Sequence, residues 1–184
     1  MIRIIAGTLK GRRLETPDWE GLRPTSDRLR ETLFNVLGPS IEGSRVIDAY
    51  AGTGAVGIEA LSRGAERCDF VERDAANVAV IRDNLKATGL ADSAKVHRLT
   101  VERAAGRLEG PYTLVLADPP YDDADAFAAL ATIAASGAVE PDATTLVFEL
   151  SSREEAPGTL GPLRLAWKRR YGDTQVAVYR SEGP

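Results

Sequence analysis

Asp118-Pro119-Pro120-Tyr121 follows YTLVLA, an apolar run with the composition of a buried strand. Two consecutive prolines cannot continue a sheet. They fix a rigid turn at the strand's C-terminal end, where open α/β sheets bind ligands. The turn offers a carboxylate, a rigid carbonyl and an aromatic face together. This set suits the planar exocyclic amine of a nucleobase, whose lone pair is conjugated into the ring and is a poor nucleophile. Hydrogen bonds from that amine to the Asp118 carboxylate and the Pro119 carbonyl favour a more tetrahedral nitrogen, while Tyr121 stacks on the base. Such catalysis rests on positioning and electrostatics rather than on a strong base, and the base must leave its stack to reach the turn. A proline-rich turn with an incidental tyrosine is the competing account.

A second constellation lies 70 positions earlier, where VIDAYAGTGAVG contains a literal G-x-G-x-x-G at Gly52, Gly54 and Gly57. In the dinucleotide fingerprint the glycines follow the strand at once and the pyrophosphate meets a helix N-terminus. Here Ala49, Tyr50 and Ala51 intervene between the strand and Gly52, and the strand tip carries Asp48. A carboxylate there repels a pyrophosphate and suits a cationic amino group. S-adenosylmethionine has an ammonium, a sulfonium and no phosphate. Gly52 and Gly54 would let the backbone approach its nucleoside and amino-acid parts. The next strand ends in Val71-Glu72-Arg73-Asp74. An acid about 20 residues past the loop can accept both ribose hydroxyls. Glu72 at the strand tip is the better placed, and Asp74 has the position of a helix start.

Composition narrows the chemistry further. The 184 residues carry a formal charge of −4, with 43% hydrophobic and 27% charged residues, as expected of one globular domain with a small appendage. No apolar run approaches the roughly 20 residues that span a bilayer, and the early charge at Arg3 argues against a signal peptide. The expectation is a cytoplasmic protein. One cysteine, Cys68, and one histidine, His97, exclude an internal disulfide and disfavour a zinc site. Cys68 has the setting of a small buried hydrophobe, and His97 sits in a strand-like run, AKVHRL. No metal is expected. Charge is uneven along the chain. Residues 1–35 hold seven Lys/Arg against five Asp/Glu, and residues 164–180 hold five against one. A basic surface built from the two ends is possible on an acidic protein, and a solvated edge is the plainer alternative.

The elements that must position these residues follow from pattern. IRIIA and RRLET, joined across Gly7 and Gly11, form a hairpin. A helix starts at Thr25 or Ser26, with Leu29, Leu33, Val36 and Leu37 as its apolar stripe. After Ser44, strands RVIDAY, RCDFVE, AKVHRL, YTLVLA and TTLVFEL alternate with helices over about 55–63, 75–88, 101–108 and 124–135. Alternation of this kind predicts a parallel sheet with helices on both faces. RLAWKRRYG and TQVAVYR meet at Gly172-Asp173 and predict an antiparallel hairpin at the sheet edge.

The chain resembles the RsmD family of bacterial 16S rRNA guanine-N2 methyltransferases over essentially its whole length. The segments that carry the likeness are RIIAGTLKGRRL, RPTSDRLRETLFNVL, DAYAGTGAVGIEALSRGA, FVERD, LADPPY and YGDTQVAVYR. The resemblance implies an α/β, Rossmann-like S-adenosylmethionine-dependent methyltransferase fold. Its seven-stranded, mostly parallel sheet has the order 3-2-1-4-5-7-6, with a small N-terminal β-hairpin plus helix over residues 1–40 and the methyltransferase domain over 41–184. It implies that Asp48, Tyr50, Ala51, Gly52, Thr53, Gly54, Glu72, Arg73, Thr100, Val101 and Asp118 meet the cofactor. Asp118, Pro119, Pro120 and Tyr121 form the catalytic turn. Relatives often have Asn or Asp where this chain has Thr100, so the Val101 amide takes on more of the adenine contact.

RNA is expected against Arg12, Arg13, Arg23, Thr25, Arg28, Arg30, Lys168, Arg169 and Arg170, with helix capping and surface ion pairs as the alternative for the first helix. The implied partners are 16S rRNA in the 30S subunit or a late assembly intermediate, and ribosomal proteins, met by a monomer that releases S-adenosylhomocysteine. Other readings are a DNA adenine-N6 or cytosine-N4 methyltransferase, protein glutamine methylation, an NAD-linked oxidoreductase and a non-catalytic RNA-binding module. No insertion is large enough for a DNA target-recognition domain. Glutamine methylation normally uses Asn where Asp118 stands, and Asp48 opposes NAD. An intact Asp118–Tyr121 turn opposes loss of catalysis.

Overall fold

A computed structural model describes residues 2–16, 27–121 and 123–181. The chain begins with a two-stranded antiparallel hairpin, β1 (Ile2–Arg3) and β2 (Arg13–Leu14), followed by α1 (Asp27–Leu37). Then come β3 (Arg45–Ala49), α2 (Ala55–Ser62), β4 (Arg67–Glu72), α3 (Ala75–Thr88), β5 (Ala94–Arg98), α4 (Val101–Ala104), β6 (Leu114–Ala117) and α5 (Ala126–Ala134). The chain closes with β7 (Thr145–Ser151), β8 (Thr159–Leu160), β9 (Leu163–Tyr171) and β10 (Thr174–Arg180). The large sheet has the order β5-β4-β3-β6-β7-β10-β9-β8. Its first five strands are parallel, and β10, β9 and β8 are antiparallel. Counted from β3, this is the expected order with one addition: the two-residue β8 lies outside β9, so the β9–β10 hairpin is not the edge itself. Among the described residues no helix is long and apolar enough to cross a membrane.

Alternation along each strand divides the core into two layers. Val46, Cys68, Phe70, Leu114, Leu116, Val147, Val176 and Val178 pack beneath α1, α2 and α3. Ile47, Ala49, Val71, Val115, Ala117, Leu146, Phe148 and Ala177 pack beneath α4 and α5. Cys68 is a buried member of the first layer. His97 and Asp69 project to the second layer, where His97 Nε2 and Asp69 Oδ2 are 2.6 Å apart. The histidine is therefore occupied within the sheet, away from the Asp118 turn.

The N-terminal extension shares the first layer: Ile2, Ile4, Leu14, Leu33, Phe34 and Leu37 join the same cluster as Val46 and Ile58. Polar clamps fix it. Glu59, fully buried on α2, accepts hydrogen bonds from the Ile5 and Ala6 N–H groups at 2.7 and 2.9 Å. Ser62 donates to the Ala6 carbonyl at 2.7 Å. Gly7 has φ +84°, and a Cβ on it would fall 1.8 Å from the Ser62 carbonyl oxygen, so only glycine permits this approach. Asn84 on α3 accepts from Glu15 N–H at 2.7 Å and donates to the carbonyls of Glu15 and Thr53.

Two expectations for this extension are corrected. Of the expected stripe of α1, Leu33 and Leu37 are buried, Val36 is only partly buried against the core and the Leu29 side chain lies outside the described residues; Arg30 and Phe34 join the buried face, giving an i, i+3, i+4, i+7 pattern over Arg30, Leu33, Phe34 and Leu37. Arg30, expected at the RNA surface, is 0% exposed and donates to the Arg3 carbonyl at 2.8 Å. It ties α1 to the hairpin. Arg30→Ala is expected to cost roughly 2–3 kcal/mol, the scale of a buried charge-assisted hydrogen bond. In a chain of this size that lowers Tm by roughly 4–10 °C. Thermal unfolding checks it, and a Tm within a degree of the parent would refute this tie.

Candidate active site

Parallel strands leave their C-terminal ends at one rim of the sheet, and β3, β4 and β6 deliver Asp48, Glu72 and Asp118 there. Asp48 is buried, 3% exposed, and its Oδ2 accepts the Gly57 N–H at 2.8 Å. The contact has a local cause. The N-cap of α2 is Gly54, which has no side chain to satisfy the first-turn N–H groups. Asp48 reaches across from the strand and caps the helix in its place. Burial pushes the Asp48 carboxyl well above the usual range. The Gly57 hydrogen bond opposes the shift, and the neighbouring Asp118 and Glu72 charges reinforce it.

The loop between β3 and α2 is held in an unusual conformation. Tyr50 has φ +64°, the left-handed region that a side chain normally avoids at a cost of order 1 kcal/mol. The Ala51 N–H to Val71 carbonyl bond, 3.0 Å, and the Gly54 N–H to Ala51 carbonyl bond, 2.7 Å, hold the turn. Gly52 has φ +54°, and its N–H donates to Glu72 Oε2 at 2.9 Å. Glu72 Oε1 accepts the Asp74 N–H at 2.7 Å, so both carboxylate oxygens are fixed by backbone donors. Asp74 itself is the N-cap of α3 and accepts from Ala76 and Asn77 N–H.

The glycines divide by role. Gly52 lines the cavity over this rim, and a Cβ on it would meet no protein atom closer than 4.0 Å. Gly54, expected to face the cofactor, is instead a packing position. A Cβ there would stand 3.2 Å from Ile81 and 3.4 Å from Phe70, and Gly54 is not among the cavity-lining residues. Gly57 is tighter, with its virtual Cβ 2.4 Å from the Phe70 ring. It lets α2 lie close to β4.

A cavity of about 980 Å³ opens over this rim. Among the expected cofactor residues, Asp48, Tyr50, Ala51, Gly52, Thr53, Glu72, Arg73, Thr100, Val101 and Asp118 line it. Pro119, Pro120 and Tyr121 line it too, so the glycine loop and the Asp118 turn share one space. The turn is closed by the Asp123 N–H to Pro120 carbonyl bond, 3.0 Å. Pro119 is buried, Asp118 half-buried, and Tyr121 is 41% exposed with its hydroxyl hydrogen-bonded to Thr174 Oγ1.

Sequence reasoning passed over Glu149, Tyr171, Thr174 and Asn77, all of which line the cavity. Glu149 carried a signal, a carboxylate inside the apolar strand TTLVFEL; it is 5% exposed on β7. Among the described residues, the lining acids Asp48, Glu72, Asp74, Glu102, Asp118, Asp123, Asp125 and Glu149 outnumber the single cation, Arg73. This donor set rejects a pyrophosphate and fits a cationic ligand with hydroxyls to be accepted, as S-adenosylmethionine is. Among the described residues no cluster suited to a metal ion is present.

The expected RNA residues are more scattered. Arg12 is exposed on the hairpin, and its guanidinium donates at 2.6 Å to the Ala87 carbonyl near the C-terminal end of α3. That end is opposite to the one at the cavity, where Asp74 and Asn77 lie. Arg13 is exposed in β2, and Lys168, Arg169 and Arg170 are exposed on β9. Arg169 lies over the ring of the cavity-lining Tyr171, 5.6 Å from its centroid. Arg23 and Thr25 lie outside the described residues, as does the Arg28 side chain.

Comparison with known proteins agrees with this architecture. The family described as Conserved hypothetical protein 95 matches residues 2–180. YlbH of Bacillus subtilis is 39% identical over 185 residues, covering 99% of this chain and 100% of that protein. Ribosomal RNA small subunit methyltransferase D of Escherichia coli K12 is 44% identical over 120 residues, 65% of this chain and 60% of that protein. Among solved structures, yhhF of Escherichia coli superposes with a TM-score of 0.87 at 33% identity, covering 100% of this chain and 99% of that one. An RNA methyltransferase of Salinibacter ruber, solved with S-adenosyl-L-homocysteine, has a TM-score of 0.66 at 18% identity over 88% of this chain and 95% of that one, and shares the fold. The chain belongs to the Conserved hypothetical protein 95 family, the RsmD family, built on the Rossmann-like fold of S-adenosylmethionine-dependent methyltransferases.

Proposed function

We propose that this protein transfers the methyl group of S-adenosylmethionine to the exocyclic N2 amine of a guanine in 16S rRNA. The observation that carries the reading is the shared cavity: the Asp118–Tyr121 turn opens into the same acidic space as Asp48 and Glu72. The name of the Escherichia coli relative supports an rRNA acceptor. Asp48 would face the ammonium of the cofactor, Glu72 its ribose hydroxyls, and Thr100 and Val101 its adenine. S-adenosylmethionine supplies an electrophilic methyl group on a sulfonium. The protein's own task is to seat the nucleophile. The Asp118 carboxylate and Pro119 carbonyl accept hydrogen bonds from the amine, drawing its nitrogen out of conjugation, and Tyr121 stacks on the ring.

RNA approaches the cavity past exposed cations. Arg169, stacked on Tyr171, is the one most directly joined to the lining, with Lys168 and Arg170 beside it in β9. The working substrate is the 30S subunit or a late assembly intermediate, where ribosomal proteins add to the grip of a small monomeric enzyme acting in the cytoplasm.

The test offers labelled S-adenosylmethionine with 30S subunits lacking the modification, free 16S rRNA and plasmid DNA, and identifies the product nucleoside by mass spectrometry. N2-methylguanosine in RNA is expected. N6-methyladenine in DNA would overturn the acceptor and retain the amine-activating turn. No label in any acceptor, with the cofactor bound, would overturn the proposed reaction.

A further inference from the structure

We infer that Thr174 is a positioning residue that holds Tyr121 in the orientation in which it receives the acceptor base. The inference rests on the amine-methylating role of the Asp118–Tyr121 turn. Three observations meet at this contact. First, Thr174 opens β10 directly after the Gly172-Asp173 turn, and its backbone is paired on both sides, with Tyr171 of β9 and Ser151 of β7. Its side chain is buried, 5% exposed, so its hydroxyl sits on a rigid base. Second, that hydroxyl is hydrogen-bonded to the Tyr121 hydroxyl, and both residues line the cavity. Third, Tyr121 is the only large hydrophobic residue found exposed among the described residues.

An exposed ring on a turn has two free torsions even when prolines fix the backbone before it. The Asp123 N–H to Pro120 carbonyl bond holds that backbone but leaves χ1 and χ2 of Tyr121 open. Tethering the ring at its far end removes this freedom while leaving the ring 41% exposed to a stacking partner. The tether therefore offsets an ordering cost that substrate binding would otherwise meet. It also joins the catalytic turn to the β9–β10 hairpin, whose Tyr171 lines the same cavity.

The test uses Thr174→Val, which keeps the shape and loses the hydroxyl, and Thr174→Ser, which keeps the hydroxyl. Ring-labelled tyrosine observed by NMR, with Tyr121 assigned through Tyr121→Phe, reports ring mobility without any substrate. Thr174→Val is expected to mobilise the Tyr121 ring, with S-adenosylmethionine affinity unchanged. Turnover on the RNA should fall about tenfold to a hundredfold, and Thr174→Ser should restore both ring order and most of the rate. In a Tyr121→Phe background, Thr174→Val should add no further loss. An unmoved ring, a parental rate, or an equal loss in the Tyr121→Phe background would each overturn the assignment. A loosened ring in a protein whose acceptor proves to be another amine would support the tether and refute only the guanine assignment.

Discussion

Asp118→Ala is expected to abolish methyl transfer, by at least about a hundredfold in kcat, while the protein still folds and still binds S-adenosylmethionine within a few-fold of the parent affinity. Asp118 directly follows β6, whose Leu116 is the partner of Asp48 in β3, and opens the turn that ends at Tyr121. Its proposed catalytic work is at the acceptor amine: it accepts a hydrogen bond there, and it stabilises the positive charge that develops on nitrogen as the new bond forms. An interaction that strengthens only as charge appears belongs in kcat rather than in ground-state binding. Asp118 also has a secondary effect. Its charge is one cause of the raised Asp48 carboxyl, so its removal eases ionisation of Asp48 and does not weaken cofactor binding by that route. Asp118→Asn separates the two parts of the role. Its amide oxygen still accepts a hydrogen bond but carries no charge, and its rate should fall between those of the parent and the alanine variant. Single-turnover rates with the RNA acceptor, alongside calorimetric cofactor affinities, measure the split. Parental turnover in Asp118→Ala would remove the carboxylate from the mechanism.

The legibility of this chain follows the range over which its signals act. The strands RCDFVE and TQVAVYR are read to the residue, because a short apolar run bounded by turns is a local property. Helix α3 is equally plain, since Asp74 caps it and Gly89, at φ +76°, ends it. That Asp48 and Asp118–Tyr121 share one cavity is legible because each ends an apolar run, and in a parallel sheet such ends meet at one rim. Three features escaped. Gly54 matches the fingerprint of a ligand loop, but its constraint comes from Ile81 and Phe70, on two other elements. Arg30 lies on the buried stripe of α1, one turn before Phe34. A charge assigned by habit to solvent masks a period that its neighbours reveal. Thr174 is one threonine in a strand, and nothing local says that its hydroxyl meets a tyrosine 53 positions away. Contacts between elements distant in sequence constrain Gly54 and Thr174, and periodicity does not report them.

Asp48→Asn is expected to separate stability from function in opposite directions. Asp48 is a buried carboxyl whose Oδ2 accepts the Gly57 N–H, and burial with two acidic neighbours holds its pKa well above the ordinary value. An amide oxygen can accept the same N–H without a buried charge. The free Asn variant should therefore be more stable at neutral pH, by about 1 kcal/mol or a few degrees in Tm. Cofactor affinity should fall at least about tenfold, the loss of one charge-assisted contact. The pH dependence carries the sign. With a folded pKa raised above the unfolded one, the folded protein binds more protons in the window between them, so the Asp48 contribution to stability falls as pH rises through that window. A cationic ligand favours the carboxylate, so cofactor affinity should rise with pH over the same range and binding should release a proton. Calorimetry in two buffers of different ionisation enthalpy reads that proton directly. Release in the parent and none in Asp48→Asn is the expected pair. Equal proton release in both proteins would place the titrating group elsewhere. Unchanged affinity in the variant would detach Asp48 from the cofactor and leave it a helix cap, satisfied as well by an amide as by a carboxylate.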